Sequence, residues 1–327
     1  MLKGFGNHFI SEAIPDSLPK GQNAPQIAPY GLYAEQLSGT SFTKVPRYQN
    51  LRSWLYRIRP SVVHSKMEKI NDDEYLNKLE NELESENQII DPNQMRWQPF
   101  NNICSNTFKL NFLQGLRCIA SNCNPLEKKG LCIYIYGFNE NMNRTCCSNA
   151  DGDYLIVPQT GTLKITTEFG ILNVEPNEIC VIQRGMRFSV DLLNSDNKSQ
   201  NNKCQGYVLE IFTKHFELPH LGPIGSNGLA NTQDFESPPA SFVNETTPKE
   251  FICITKFGNK FFKHVQYYTP YDVVAFHGNY VPYKYDLRKF NTMNSVSYDH
   301  PDPSIYTVLT CPSDEPGVAL TDFVIFP

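Results

Sequence analysis

The chain has no long apolar run, no leader pattern and no excess of positive charge. A membrane-spanning helix needs about 18 or more consecutive apolar residues, and no stretch here approaches that. The opening MLKGFGNHFISEAIPDS lacks a basic start followed by an apolar core, so no secretory leader is expected. Lys and Arg total 29 against 34 Asp and Glu, a formal charge of −5. That balance argues against nucleic acid or an anionic membrane surface as the main partner. Ten cysteines are scattered, with one adjacent pair (Cys146, Cys147) and no C-x-x-C. Without a leader, reduced thiols in the cytoplasm are the expectation. The N-x-S/T triplets at Asn143, Asn197 and Asn244 are then chance matches.

Two nucleophile and nucleotide signatures are also missing. There is no G-x-S-x-G elbow. Gly222, Gly225 and Gly228 are spaced G-x-x-G-x-x-G, not G-x-G-x-x-G, and no Lys-Ser/Thr follows. A turn-rich loop is expected there. No Cys/His pairing signals a catalytic thiol.

Apolar residues make up 40% of the 327 and charged residues 19%, which describes a globular chain of about two domains with a sizeable core. Residues 1–60 are punctuated by Pro, Gly and Asn and read as an irregular arm crossing a larger body. Lys66 to Asp91 lack Gly and Pro, and Ile70, Leu76, Leu79 and Leu83 fall near helical spacing. They predict an amphipathic surface helix with a solvated acidic face, an insertion over 66–91.

From Leu131 the pattern becomes β. LCIYIYGF, DGDYLIVPQ, TGTLKITTEFG, ILNVEPNEICVIQRGMRFSVDLL and GYVLEIF are short β-branched and aromatic runs separated by turn residues. Leu163, Ile165 and Thr167 alternate with polar neighbours, as in a half-buried strand. The close spacing predicts a mainly β chain, with a large N-terminal sandwich or jelly roll of cupin-like character. No His lies between Tyr154 and Val190, so such a barrel would be structural. Asn194 to Lys203 are polar and low in complexity and predict a mobile loop. Strands resume at Phe251–Thr255 and Val273–His277, and a domain boundary is expected near Phe290.

Three sets of histidines could carry chemistry. His215, Glu217 and His220 form H-x-E-x-x-H, donor types that suit Zn or non-haem Fe. Pro219 disfavours a helix there, so they read equally as polar residues at a strand exit. His277, between Phe276 and Gly278, could line a cleft or sit in the core with both nitrogens bonded. His300 lies in NSVSYDHPDPS, flanked by Asp299 and Asp302 with Pro301 and Pro303 stiffening the turn. A carboxylate beside an imidazole fixes its tautomer and raises its basicity. That suits acid/base work, and a purely structural turn remains the other reading.

Longer segments identify a family. GFGNHF (4–9), GQNAPQIAPYGLYAEQLSGTSF (21–42), RSWLYRIRPS (52–61), DGDYLIVPQ (151–159), EPNEICVIQRGMRFS (175–189), HFELPHLGPIGSNGLAN (215–231), HGNYVPYKY (277–285) and DHPDPSIYTVLT (299–310) resemble the homogentisate 1,2-dioxygenases. The resemblance implies a large N-terminal β domain (1–290) and the beginning of a cupin-like catalytic C-terminal domain (291–327). It implies a cytoplasmic hexamer, a dimer of trimers, in tyrosine and phenylalanine breakdown. The small-molecule substrates would be homogentisate and O2, the product maleylacetoacetate and the cofactor Fe(II). His300 would be the catalytic acid/base. The family's two His and one carboxylate ligands follow the FVIFP segment, after which this chain ends at Pro327. No metal ligand is therefore expected among these residues, and His215, Glu217 and His220 match a segment that does not bind iron. No substrate-binding residue is assigned. Two rivals stay open: a non-catalytic short isoform acting through subunit assembly, and a cupin-like ligand-binding module. A second domain begun at about residue 291 has too little chain to close a barrel, so poor solubility or disorder is expected beyond Phe290.

Overall fold

The computed structural model describes residues 1–20, 27–84, 91–94, 96, 109–193, 203–221, 230–292 and 303–326. Among them the chain is mainly β. An eight-stranded sheet runs in the order Leu2–Lys3, Glu236–Ser237, Tyr283–Asp286, Glu178–Ile182, Asp153–Thr160, Cys204–Ile211, Lys129–Phe138, Leu116–Asn124. A seven-stranded sheet runs Gly170–Val174, Leu163–Thr167, Arg187–Leu192, Thr145–Asn149, Phe251–Phe257, Lys260–Gln266, Glu68–Lys69. Pairing is antiparallel except between Thr145–Asn149 and Phe251–Phe257.

Side-chain alternation explains how the two sheets meet. In Leu163–Thr167, Leu163, Ile165 and Thr167 are buried and the residues between them are half-buried. Tyr134, Tyr136, Ile156, Cys180 and Val208 of the larger sheet join Leu163, Ile165, Leu172, Phe188 and Val190 of the smaller one in the main core. Glu178–Ile182 is buried at every position, which a single covered face cannot give. Cys180 and Ile182 point to the main core, while Ile179 and Val181 point into a second cluster on the outer face.

That outer face is covered by the last part of the chain. Thr307–Pro312 and Ala319–Val324 form a hairpin that places Val308, Leu309, Cys311 and Phe323 against Leu155, Ile179, Val181 and Ile211. The expectation of a disordered tail after Phe290 is therefore corrected for residues 303–326. The hairpin needs no barrel of its own because it borrows the apolar back of the large sheet. Leu309 is completely buried, so Leu309→Ala should cost about 2–5 kcal/mol. A urea midpoint equal to that of the unchanged chain would show that the hairpin does not dock.

Two further expectations are corrected. Among the described residues the helix spans Glu74–Leu83 and so begins well after 66; the part of the expected helix at 85–90 lies outside the described residues. Asp73 starts it by accepting from the backbone N–H groups of Tyr75 (3.0 Å) and Leu76 (3.1 Å). Upstream, Glu68–Lys69 pairs with Phe262 and Lys263 as an edge strand. Leu76, Leu79 and Leu83 join the main core, and the acidic face is not wholly solvated. Glu80 is buried and accepts from the Phe261 N–H at 2.7 Å. Nor is the 1–60 arm irregular throughout. Phe9–Glu12, Tyr33–Ser38 and Arg52–Arg57 share a four-stranded sheet with Val273–Gly278. The low-complexity loop at Asn194 to Lys203 lies outside the described residues up to 202, as does the GPIGSNG segment at 222–228.

Candidate functional site: the histidines and the buried charges

His300, with Asp299, Pro301 and Asp302, lies outside the described residues. The structure fixes the two ends of that segment. On one side, Tyr283–Asp286 pairs with Glu178–Ile182, and a 3-10 turn follows at Leu287–Lys289. On the other, the 3-10 turn Pro303–Tyr306 buries Ile305 and Tyr306 and leads into the hairpin. Both ends are therefore tied to the outer face of the large sheet.

The three members of H-x-E-x-x-H are not brought together as a ligand set. His215 Nδ1 meets Asp153 Oδ2 at 2.7 Å, and its Nε2 meets the Gly39 carbonyl at 2.8 Å. The ring also packs edge-on against Tyr280, at 5.2 Å between centroids. With an oxygen at each nitrogen, His215 works as a staple between the 1–60 arm and the large sheet. Glu217 uses its backbone: its N–H donates to the Thr310 carbonyl at 2.8 Å, and the Thr310 N–H donates back at 2.9 Å. His220 is exposed, with Nε2 3.8 Å from Glu217 Oε1. This segment docks the C-terminal hairpin.

His277 is not a core histidine with both nitrogens bonded. It is half-buried on Val273–Gly278, stacked with His8 at 5.5 Å and Tyr56 at 6.0 Å between centroids. Its Nδ1 lies 3.4 Å from His8 Nε2. Burial first, then the neighbouring His8 and Arg52, hold its pKa below the usual imidazole value. The following Gly278 has φ +149, and a Cβ there would run into Ser53 and the Arg52 carbonyl. Glycine is what lets this strand press onto Arg52–Arg57.

Sequence reading missed the buried charges. Arg57 is 2% exposed and bonds Glu168 (2.9 Å), Asp272 (3.0 and 3.1 Å), Glu35 (3.2 Å) and the Pro270 carbonyl (2.8 Å). Burial disfavours its charge, but Glu168, Asp272 and Glu35 outweigh that and hold it as a cation. Burial also pushes the Asp272 carboxyl up, against the pull of Arg57. Both shifts are upward and reflect one physical fact: both charges lose water, and only the three-carboxylate cage makes the cation's loss good. Lys256 forms a second such centre, bonding Asn259 (2.7 Å), Glu210 (2.9 Å) and Asp151 (3.2 Å), all buried. Both tie distant parts of the chain together.

The nine described cysteines are free thiols. Cys146 and Cys253 face each other at 3.2 Å between sulfurs, as do Cys123 and Cys132. No described helix is long and apolar enough to cross a membrane.

Comparison with known proteins gives the family. The model described as homogentisate 1,2-dioxygenase N-terminal matches residues 1–287, and its C-terminal counterpart matches 288–327. Homogentisate 1,2-dioxygenase of Drosophila melanogaster is 51% identical over 328 residues, covering 100% of this chain and 71% of the fly protein. The Homo sapiens enzyme is 49% identical, with 100% and 70% coverage. That of Arabidopsis thaliana is 50% identical over 324 residues, with 99% and 67%. Among solved structures, a cupin superfamily protein from Desulfitobacterium hafniense aligns at TM-score 0.26 and 11% identity, over 37% of this chain and 94% of that one. The chain spans about 70% of the length of the fly and human proteins it matches, and it belongs to the homogentisate 1,2-dioxygenase family.

Proposed function

We propose that the protein carrying this chain opens the aromatic ring of homogentisate with O2, giving maleylacetoacetate, in the breakdown of tyrosine and phenylalanine. One observation carries this: about half of the residues are identical to homogentisate 1,2-dioxygenases across the whole chain, at 51% for the fly protein and 49% for the human one. Identity at that level spread over 328 aligned residues preserves far more than a fold.

The reaction incorporates both oxygen atoms into one organic product, chemistry for which the family resemblance implies Fe(II). The described residues do not fit such an ion. Among them no three His, Cys, Asp or Glu side chains are grouped to hold a metal, and His215 has an acceptor at each ring nitrogen. The reading therefore assigns no iron ligand among the described residues. On this reading the chain supplies His300 as the acid/base on the substrate. The reading extends to a cytoplasmic hexamer built as a dimer of trimers. Reduced thiols throughout the described core support the compartment.

Isotope labelling tests the reaction. The protein from its natural source, given homogentisate under 18O2 and quenched early, should yield a ring-opened acid carrying both labelled atoms. Label in water, or a ring left intact, would contradict the assignment.

A further inference from the structure

A cavity of about 230 Å3 lies between Arg57–Val63 and the turn at Gln266–Thr269. Three guanidinium groups line it, those of Arg57, Arg59 and Arg187, with one carboxylate, Asp272. The Arg57 and Asp272 charges are already spent on each other and on Glu168 and Glu35. Asp272 also accepts from the Arg59 backbone N–H at 2.9 Å. Neither of the remaining two cations is paired in this way, although the Glu245 carboxylate, which bonds Arg144 and the Thr269 N–H, feels the charge of Arg59.

Arg187 makes two long contacts to neutral acceptors, Gln266 Oε1 at 3.5 Å and the Ser61 carbonyl at 3.3 Å. Arg59 donates from Nη2 to the Glu245 carbonyl at 2.6 Å and lies 3.7 Å over the Tyr268 ring. Its Nη1 is buried with no acceptor. No carboxylate among the described residues forms an ion pair with either side chain. A guanidinium offers five N–H donors in a planar fork, so both have donors to spare in a site partly withdrawn from water. Leaving such donors unmatched is costly, and the acceptors that match the fork are carboxylate and phosphate oxygens.

The walls decide between these. Val63, Tyr267 and Tyr268 give the cavity apolar and aromatic sides. A bare inorganic anion would leave those surfaces uncovered, whereas an organic acid would cover them. The volume is below the range of about 300–1,000 Å3 typical of drug-sized ligands, which limits the occupant to a small one. We infer that this cavity binds a small organic carboxylate, with its anionic end between Arg59 and Arg187 and its apolar body against Val63, Tyr267 and Tyr268. The inference does not rest on ring opening or on His300.

Calorimetric titration with benzoate in a low-salt chloride buffer tests it. The unchanged chain should show saturable, equimolar binding. Arg187→Gln and Arg59→Gln should each weaken it tenfold or more, while Lys44→Gln, an exposed cation elsewhere on the surface, leaves it unaltered. Near-UV circular dichroism establishes that each variant is folded. Should Arg187→Gln fail to fold, Arg59→Gln carries the comparison, since Arg59 is half-exposed and its side chain makes a single hydrogen bond. Absence of benzoate binding overturns the proposal. So does undiminished binding by both arginine variants, which would place benzoate elsewhere on the protein. Binding of inorganic phosphate without benzoate overturns the organic-acid class.

Discussion

A His300→Gln variant of the natural protein is expected to keep its iron and to consume oxygen with homogentisate about 10²- to 10⁴-fold more slowly, the usual contribution of one positioned acid/base. Glutamine keeps the size and hydrogen-bonding capacity of the side chain but cannot accept and return a proton. Iron content separates this effect from loss of the metal: an unchanged iron-to-protein ratio with a collapsed rate is the expected pair of results. Oxygen uptake near that of the unchanged protein would remove His300 from the chemistry and leave it as a turn residue.

The second large effect concerns stability. Arg57→Met should destabilise the chain by about 3–5 kcal/mol, the usual cost of breaking a buried ion pair from one side. Against a total of about 5–15 kcal/mol, much of the folded margin would disappear. Glu168 and Asp272 would be left buried without a cation, and Glu35 half-buried beside them. The pH dependence gives a second signature. Burial already pushes the Asp272 carboxyl up with Arg57 present, and removing the cation pushes it further. A folded pKa above the unfolded value of about 3.9 means that the folded state holds more protons. Stability is then fully present below that value and is lost as pH rises through the folded pKa. The gap in urea midpoint between variant and unchanged chain should therefore narrow as pH falls through the folded pKa towards about 3.9. A gap of constant size would mean that the lost packing of the arginine side chain, and not the stranded carboxylates, sets the cost.

The strands that could be read from sequence share one property: their burial repeats locally. Leu163, Ile165 and Thr167 alternate because a single face of that strand is covered. The apolar run Ile179–Ile182 read as a strand, yet gave no sign of what lay on its second face, because the hairpin that covers it begins at Thr307. Strands of the 1–60 arm were hidden among turn residues for a related reason. Phe9–Glu12 and Arg52–Arg57 pair with Val273–Gly278, more than 200 residues away, and pairing at that distance leaves no local period; Tyr33–Ser38 joins the sheet through Arg52–Arg57. The helix was overextended because Ile70 fits the helical spacing, whereas it is buried through the edge strand before Asp73.

The site was legible to a different degree. His300 stood out through its aspartate and proline neighbours, and the family's role for it came from the long matching segments. H-x-E-x-x-H looked like a ligand set because spacing reports which donors are near in sequence, not which are already bonded. His215 is occupied by Asp153 and Gly39, neither of which is close in sequence. Arg57, Lys256 and the cavity arginines carried no signal at all. A charged residue reads as solvated until the fold closes over it.

The account rests on homogentisate being the substrate of the protein that carries this chain. The direct test is an oxygen electrode trace with that protein, purified from its natural source and kept in ferrous iron. The expected result is uptake that begins on adding homogentisate and stops when equimolar O2 has been consumed, with the aromatic absorbance lost in step. A flat trace with iron present, or uptake that leaves the ring intact, would contradict it.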